Sequence, residues 1–151
     1  MEYEITFSLK AALEGDVPEL TEAQMIYDGV KVSDIPKPFA SIEGLATNST
    51  VTAAGRESYE DVIRYQVGVF ASDFAERLQL AEKVRTALRN SEGLPFFGAD
   101  LLPTGESFLC DVSDFTPISN ADAANTTYNH HGYFDVAVFI LRKNGATTFT
   151  Q

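Results

Sequence analysis

The sequence has no tryptophan, a single cysteine and half as many basic as acidic residues, 11 Lys and Arg against 22 Asp and Glu in 151 positions. With Cys110 alone there is no disulfide framework and no thiolate cage for a metal. Its setting, Phe108-Leu109-Cys110-Asp111-Val112, suits a small buried hydrophobe better than a reactive thiol. The shortage of cations argues against nucleic-acid binding by phosphate neutralisation, which needs clustered Lys and Arg. It argues equally against attachment to an anionic membrane surface. No apolar run approaches the roughly 20 residues of a membrane helix. The start Met1-Glu2-Tyr3-Glu4 lacks the basic and apolar regions of a secretory signal, so synthesis and use in a cytoplasm are expected.

Catalytic and cofactor signatures are also missing. There is no phosphate-cradling glycine loop, no H-E-x-x-H, no paired Cys-x-x-Cys and no G-x-S-x-G elbow. No catalytic residue, cofactor or metal is therefore expected. Asn48-Ser49-Thr50 and Asn125-Thr126-Thr127 match the glycosylation pattern but carry no weight without secretion.

What is present is the material of a folded domain. A hydrophobic fraction of 44%, with 11 Phe and 6 Tyr, supplies a core, and 22% charged residues is ordinary for a globular chain. A single domain over 1–151 follows. The net charge of −11 keeps such a chain soluble, and it also suits a surface that lies near DNA without sticking to it.

Ile5, Leu9, Ala12 and Leu13 make one helical face over 3–14, with Gly15 and Pro18 as stop signals. Residues 24–27 read as a short strand closed by an Asp28-Gly29 turn, and Pro36 and Pro38 bracket a non-helical connector before a strand at 39–43. Over 60–71, Ile63, Tyr65, Val67 and Val69 share one face and Arg64, Gln66 and Gly68 the other, which makes a half-buried strand. The spacing then predicts a long helix over 73–89. Asp73 and Glu76 resemble a capping box, and Phe74, Leu78, Ala81, Val84 and Leu88 form the apolar stripe. Lys83, Arg85 and Arg89 suit the C-terminal half, and Asn90 and Gly93 end it. A strand follows at 107–113. The last, 133–141, is apolar on both faces, as befits a central strand or one that meets a neighbouring subunit. Residues 145–151 read as a frayed tail. The expected fold is α+β: a mainly antiparallel or mixed sheet of four to five strands, with one short N-terminal and one long central helix packed on one face.

Two polar connections, 44–58 and 114–131, exceed the ~12–15 residues usual for structureless loops. Each joins neighbouring strands, and such hairpin tips reach neighbours in an assembly or stay without fixed structure in the isolated chain. The candidate interface residues cluster here: Arg56 and Glu57 in the first, Asp122, Tyr128, His130 and His131 in the second. His130 and His131 are adjacent, so on a strand they point to opposite faces, which is poor geometry for joint metal ligation. The acidic groups Glu57/Glu60/Asp61 and Asp111/Asp114 read as solvated strand ends. Phe96 and Phe97, framed by Pro95 and Gly98, are either one buried and one half-exposed ring or an anchor in a subunit interface.

The segment Tyr65-Gln66-Val67-Gly68-Val69-Phe70-Ala71, running into the helix at 73–89, resembles the tail terminator (tail completion) proteins of long-tailed bacteriophages. So do the connector Pro36-Lys37-Pro38-Phe39-Ala40-Ser41-Ile42 and the closing strand His131-Gly132-Tyr133-Phe134-Asp135-Val136-Ala137-Val138. The likeness is one of pattern and order over most of the chain, and the polar stretch 119–129 is longer than the family pattern. The resemblance implies a structural virion protein of the tail or neck, assembled in the host cytoplasm as a hexameric ring. That ring caps the tail tube protein, ends tail polymerisation and joins the head-tail connector protein, and DNA passes its lumen without specific binding. Part of the acidic excess would face that lumen. Three other readings stay open: another neck or tail-tube component, a small enzyme built from Tyr128, His130, His131 and a carboxylate, and a stand-alone binding module.

Overall fold

The N-terminal helix α1 (Glu2–Asp16) buries Ile5, Ser8, Leu9, Ala12 and Leu13, the expected face with one serine added. That serine is satisfied at both ends: its hydroxyl donates to Glu4 O at 2.7 Å and accepts from Phe97 N at 2.9 Å. Buried polar atoms need such partners. The computed structural model describes residues 1–20, 22–26, 35–51, 58–118, 130–143 and 146–149.

The main sheet is built on two 13-residue strands, β4 (Ser58–Phe70) and β9 (His131–Lys143), paired antiparallel from Ser58↔Lys143 to Phe70↔His131. Outside β4 lies β2 (Phe39–Gly44), then β1 (Glu22–Ile26), which runs parallel to β2; outside β9 lies β10 (Ala146–Phe149). Three short strands attach to this path of five: β3 (Asn48–Val51) on β4, and β7 (Cys110–Val112) and β8 (Thr116–Pro117) on β9. A separate pair, β5 (Leu94–Phe97) and β6 (Pro103–Phe108), sits against α1. Together with α2 (Phe74–Leu88), this makes two helices and ten strands among the described residues, an α+β fold with a mostly antiparallel sheet.

Both helices pack on one face of the sheet. Tyr65 reaches α1, donating its hydroxyl to Glu2 O at 3.1 Å and accepting from Thr6 Oγ1 at 3.2 Å. From α2, Arg85 lies over the Phe134 ring and Arg89 donates to Val112 O at 2.9 Å. Ile63, Tyr65, Val67 and Val69 of β4 and Phe134, Val136, Val138 and Ile140 of β9 are buried there, in one cluster with Ile5, Leu9, Leu13, Leu80, Val84 and Leu88. Each such side chain contributes about 1.5–3 kcal/mol by leaving water. Burial pushes the Cys110 thiol up to about 12 and, more than its polar contacts oppose, the Tyr65 phenol up to about 12. Cys110 is half-buried and packs against the core cluster rather than lying within it.

Several expectations need correction. The N-terminal helix is not the shorter one; both have 15 residues. The buried face of α2 is Arg77, Leu80, Ala81, Val84, Ala87 and Leu88, while Phe74 and Leu78 lie exposed. The strand at 107–113 is two strands: Phe108 pairs with Leu94 in the small sheet, Cys110 with Val138 in the large one, and Leu109 carries the chain between them. Residues 146–149 are not frayed but form β10, whose Phe149 ring packs on Phe96 and Phe108. Each long connection is partly strand, β3 in the first and β8 in the second; 52–57, 119–129 and the expected turn at Asp28-Gly29 lie outside the described residues.

Candidate functional site

The sheet face away from the helices carries a row of rings. Phe39 of β2 is in register with Phe70 of β4, and Phe70 with His131 of β9, so all three share that face. The Phe39 and Phe70 rings stack at 4.5 Å with 4° between their planes; Phe70 and His131 stack at 5.1 Å and 2°. Contacts of this kind contribute about 0.5–1.5 kcal/mol each beyond the area they bury. Phe39 is buried and the other two rings are half-buried, so the ladder ends at a surface.

The next rows in register are Ser41, Gly68 and Tyr133, then Glu43, Gln66 and Asp135. A hollow of about 260 Å³ crosses both rows, with Phe70 and His131 on one side and Ser41, Gln66 and Tyr133 among its lining residues. Gly68 is needed beneath it: a β-carbon there would collide with Ser41 Oγ and stand 3.1 Å from Phe70 Cε2. Glu43 at the rim is exposed and has no ion-pair partner among the described residues, whereas Asp135, in the same row, lines a different hollow with Arg64 and Asp111. An aromatic floor with a carboxylate rim suits an apolar side chain accompanied by a cation.

A second unusual surface lies on the first turns of α2. Asp73 caps the helix, its Oδ1 accepting from Glu76 N at 2.8 Å, and Glu76 Oε1 reaches back to Ser72 N at 2.9 Å. Just beyond, Phe74 is 58% and Leu78 49% exposed, one turn apart. Arg77 between them is only 8% exposed, its guanidinium 5.2 Å from the Phe74 ring centre and its Nε without an acceptor among the described residues. A different hollow, about 780 Å³ and open to solvent, runs past Asp16, Glu82, Lys83, Thr86 and Arg89.

Of the residues singled out in the sequence, His131 belongs to the ladder, and His130 precedes it with Nδ1 buried and without a hydrogen-bond partner among the described residues. Phe96 is buried and Phe97 half-buried on β5, away from the ladder's sheet; Phe97 meets Phe7 edge-on at 5.4 Å. Arg56, Glu57, Asp122 and Tyr128 lie outside the described residues. The sequence reading missed Phe70, Tyr133 and Glu43, and it placed Phe74 and Leu78 in the core. The available signal was the second face of the strand at 60–71, where Gln66, Gly68 and Phe70 alternate with the core positions.

No protein-family model matches the chain, and no curated protein matches it either.

Proposed function

We propose that the protein is a ring-forming structural component of a long-tailed phage, which caps the tail tube and presents a face to the head-side connector. The observation that carries this reading is the sheet surface just described: a long two-strand platform with, among the described residues, helices on one side and an aromatic floor rimmed by Glu43 on the other. A subunit that must meet like copies in a closed ring needs surfaces of this kind. The order of elements also supports it, because an N-terminal helix, a connector, a strand-helix unit and a closing strand follow one another as in the family the sequence resembles. The net charge of −11 leaves carboxylates for a lumen wall along which DNA slides.

The test is mass in solution over a wide concentration range, followed by electron microscopy of whatever assembles. Hexameric rings, or binding to the ends of purified tail tubes, are the expected result. A chain that stays monomeric at millimolar concentration and ignores tail tubes overturns the reading.

A further inference from the structure

Arg64 stands exposed on β4 without an ion pair among the described residues, whereas Lys10, Lys83 and Arg89 each have a carboxylate partner. Asp111 and Asp135 line the same hollow, of about 410 Å³, yet neither is within ion-pair distance of it. The strands account for this separation. Arg64 of β4 and Asp111 of β7 are both in register with Ala137 of β9, from opposite sides. Two strand spacings, about 9–10 Å at the backbone, therefore lie between them. Asp135 is two residues along β9 from Ala137 and on the same face. Backbone bonds hold these strands in place. Leu45 N donates to Arg64 O at 2.8 Å, Ser113 N to Asp135 O at 2.9 Å, and Asp135 N to Ser113 Oγ at 2.8 Å.

Between these charges the small side chain of Ala137 forms the floor, and Leu45, 42% exposed, adds an apolar wall. The volume is in the range of small-molecule sites. A guanidinium takes a carboxylate through two parallel N–H donors, and a pair of aspartates takes an ammonium. A lone metal ion or a lone anion would answer only one side of the hollow. The geometry points to a site for a small zwitterion of the α-amino acid type. Its carboxylate lies on Arg64, its ammonium between Asp111 and Asp135, and a branched aliphatic side chain against Leu45 and Ala137. Opposite charges already held apart on strands need little rearrangement when such a ligand arrives. This inference goes beyond the ring reading and does not depend on it.

The test is an NMR titration of backbone amide shifts with three probes: L-leucine, 3-methylbutylamine, which lacks the carboxylate, and 4-methylpentanoate, which lacks the ammonium. L-leucine should move the amides of Arg64, Asp111 and Ala137 and saturate at millimolar concentration. Each single-charge probe should bind about tenfold more weakly. Arg64→Gln should bring L-leucine down to the affinity of 3-methylbutylamine. Asp111→Asn with Asp135→Asn should bring it down to that of 4-methylpentanoate. All three positions are exposed, so these variants should keep the fold, which an unchanged amide spectrum away from the hollow checks. No shift with L-leucine, shifts that spread over the surface without saturating, or equal affinity for the three probes overturns the site. So does an affinity for L-leucine that survives either substitution.

Discussion

The ring of Phe115 occupies the space that a side chain on Gly132 would need. A β-carbon there would collide with the ring, standing 2.7 Å from Cε2, and it would stand 2.7 Å from the carbonyl of Thr116. The ring also packs on Phe134, at 5.1 Å between centres, so it has little room to withdraw. Gly132→Ala should therefore cost about 1–3 kcal/mol, as overpacking a filled site does. Urea unfolding checks this; a midpoint equal to that of the wild type would show that β8 yields freely.

The α2 cap is the second test. Asp73 satisfies the Glu76 amide and Glu76 satisfies the Ser72 amide, so the two acids hold the turn from both sides. Asp73→Ala should lower stability by about 1 kcal/mol, and Asp73→Asn by less. A thermal melt in which Ala and Asn behave alike would remove the cap from the account.

A third prediction concerns which side of α2 faces the sheet. Leu80 is 2% exposed and Leu78 49%. Leu80→Ala should cost about 2–5 kcal/mol, as for a buried leucine. Leu78→Ala should stay within about 0.5 kcal/mol in the unassembled chain. Equal losses in monomeric protein would mean that the buried face has been placed on the wrong side.

The difference between those two leucines shows where local sequence stops being informative. Phe74, Leu78, Ala81, Val84 and Leu88 make as regular a stripe as Leu80, Ala81, Val84, Ala87 and Leu88, and three positions are common to both. Only the sheet surface beneath decides, and it selects the stripe in which Arg77, an amphipathic residue with a long apolar stem, replaces an aliphatic one. The strand at β4 and the Asp73 cap were legible because alternation and capping are local rules. The Phe39–Phe70–His131 ladder was not, since its register joins strands far apart in the chain. Leu109 escaped for a related reason: the switch between sheets depends on what Phe108 and Cys110 pair with.

The last strand escaped because Ala-Thr-Thr-Phe has almost no apolar signal, yet its backbone pairs with β9 and its Phe149 closes on two aromatic rings. The ring centres lie 4.7 Å from Phe96 and 5.7 Å from Phe108. Phe149→Ala should cost about 2 kcal/mol, below the ~3–5 kcal/mol of a fully buried phenylalanine because this ring is half-exposed. Removal of 146–151 should cost at least as much. A truncated chain as stable as the full one would mean that β10 adds nothing to the fold.

Tyr65 and Cys110 make the response to alkali predictable. Both are pushed up to about 12 in the folded chain, the thiol from an ordinary 9.0 and the phenol from 10.0, chiefly by burial. In the unfolded chain they lose their protons earlier, so above that point the unfolded state binds fewer protons and gains on the folded one. Their contribution is fully present below pH 9 and is lost as pH rises toward 12. At neutral pH, Tyr65→Phe should cost about 1 kcal/mol for the hydrogen bonds to Glu2 O and Thr6 Oγ1. Between pH 9 and 12 the double variant Tyr65→Phe/Cys110→Ala should lose stability less steeply than the wild type. Denaturant midpoints measured across that window decide it. Parallel profiles would mean that neither group stays protonated in the folded chain, and that water reaches the helix-covered face of the sheet.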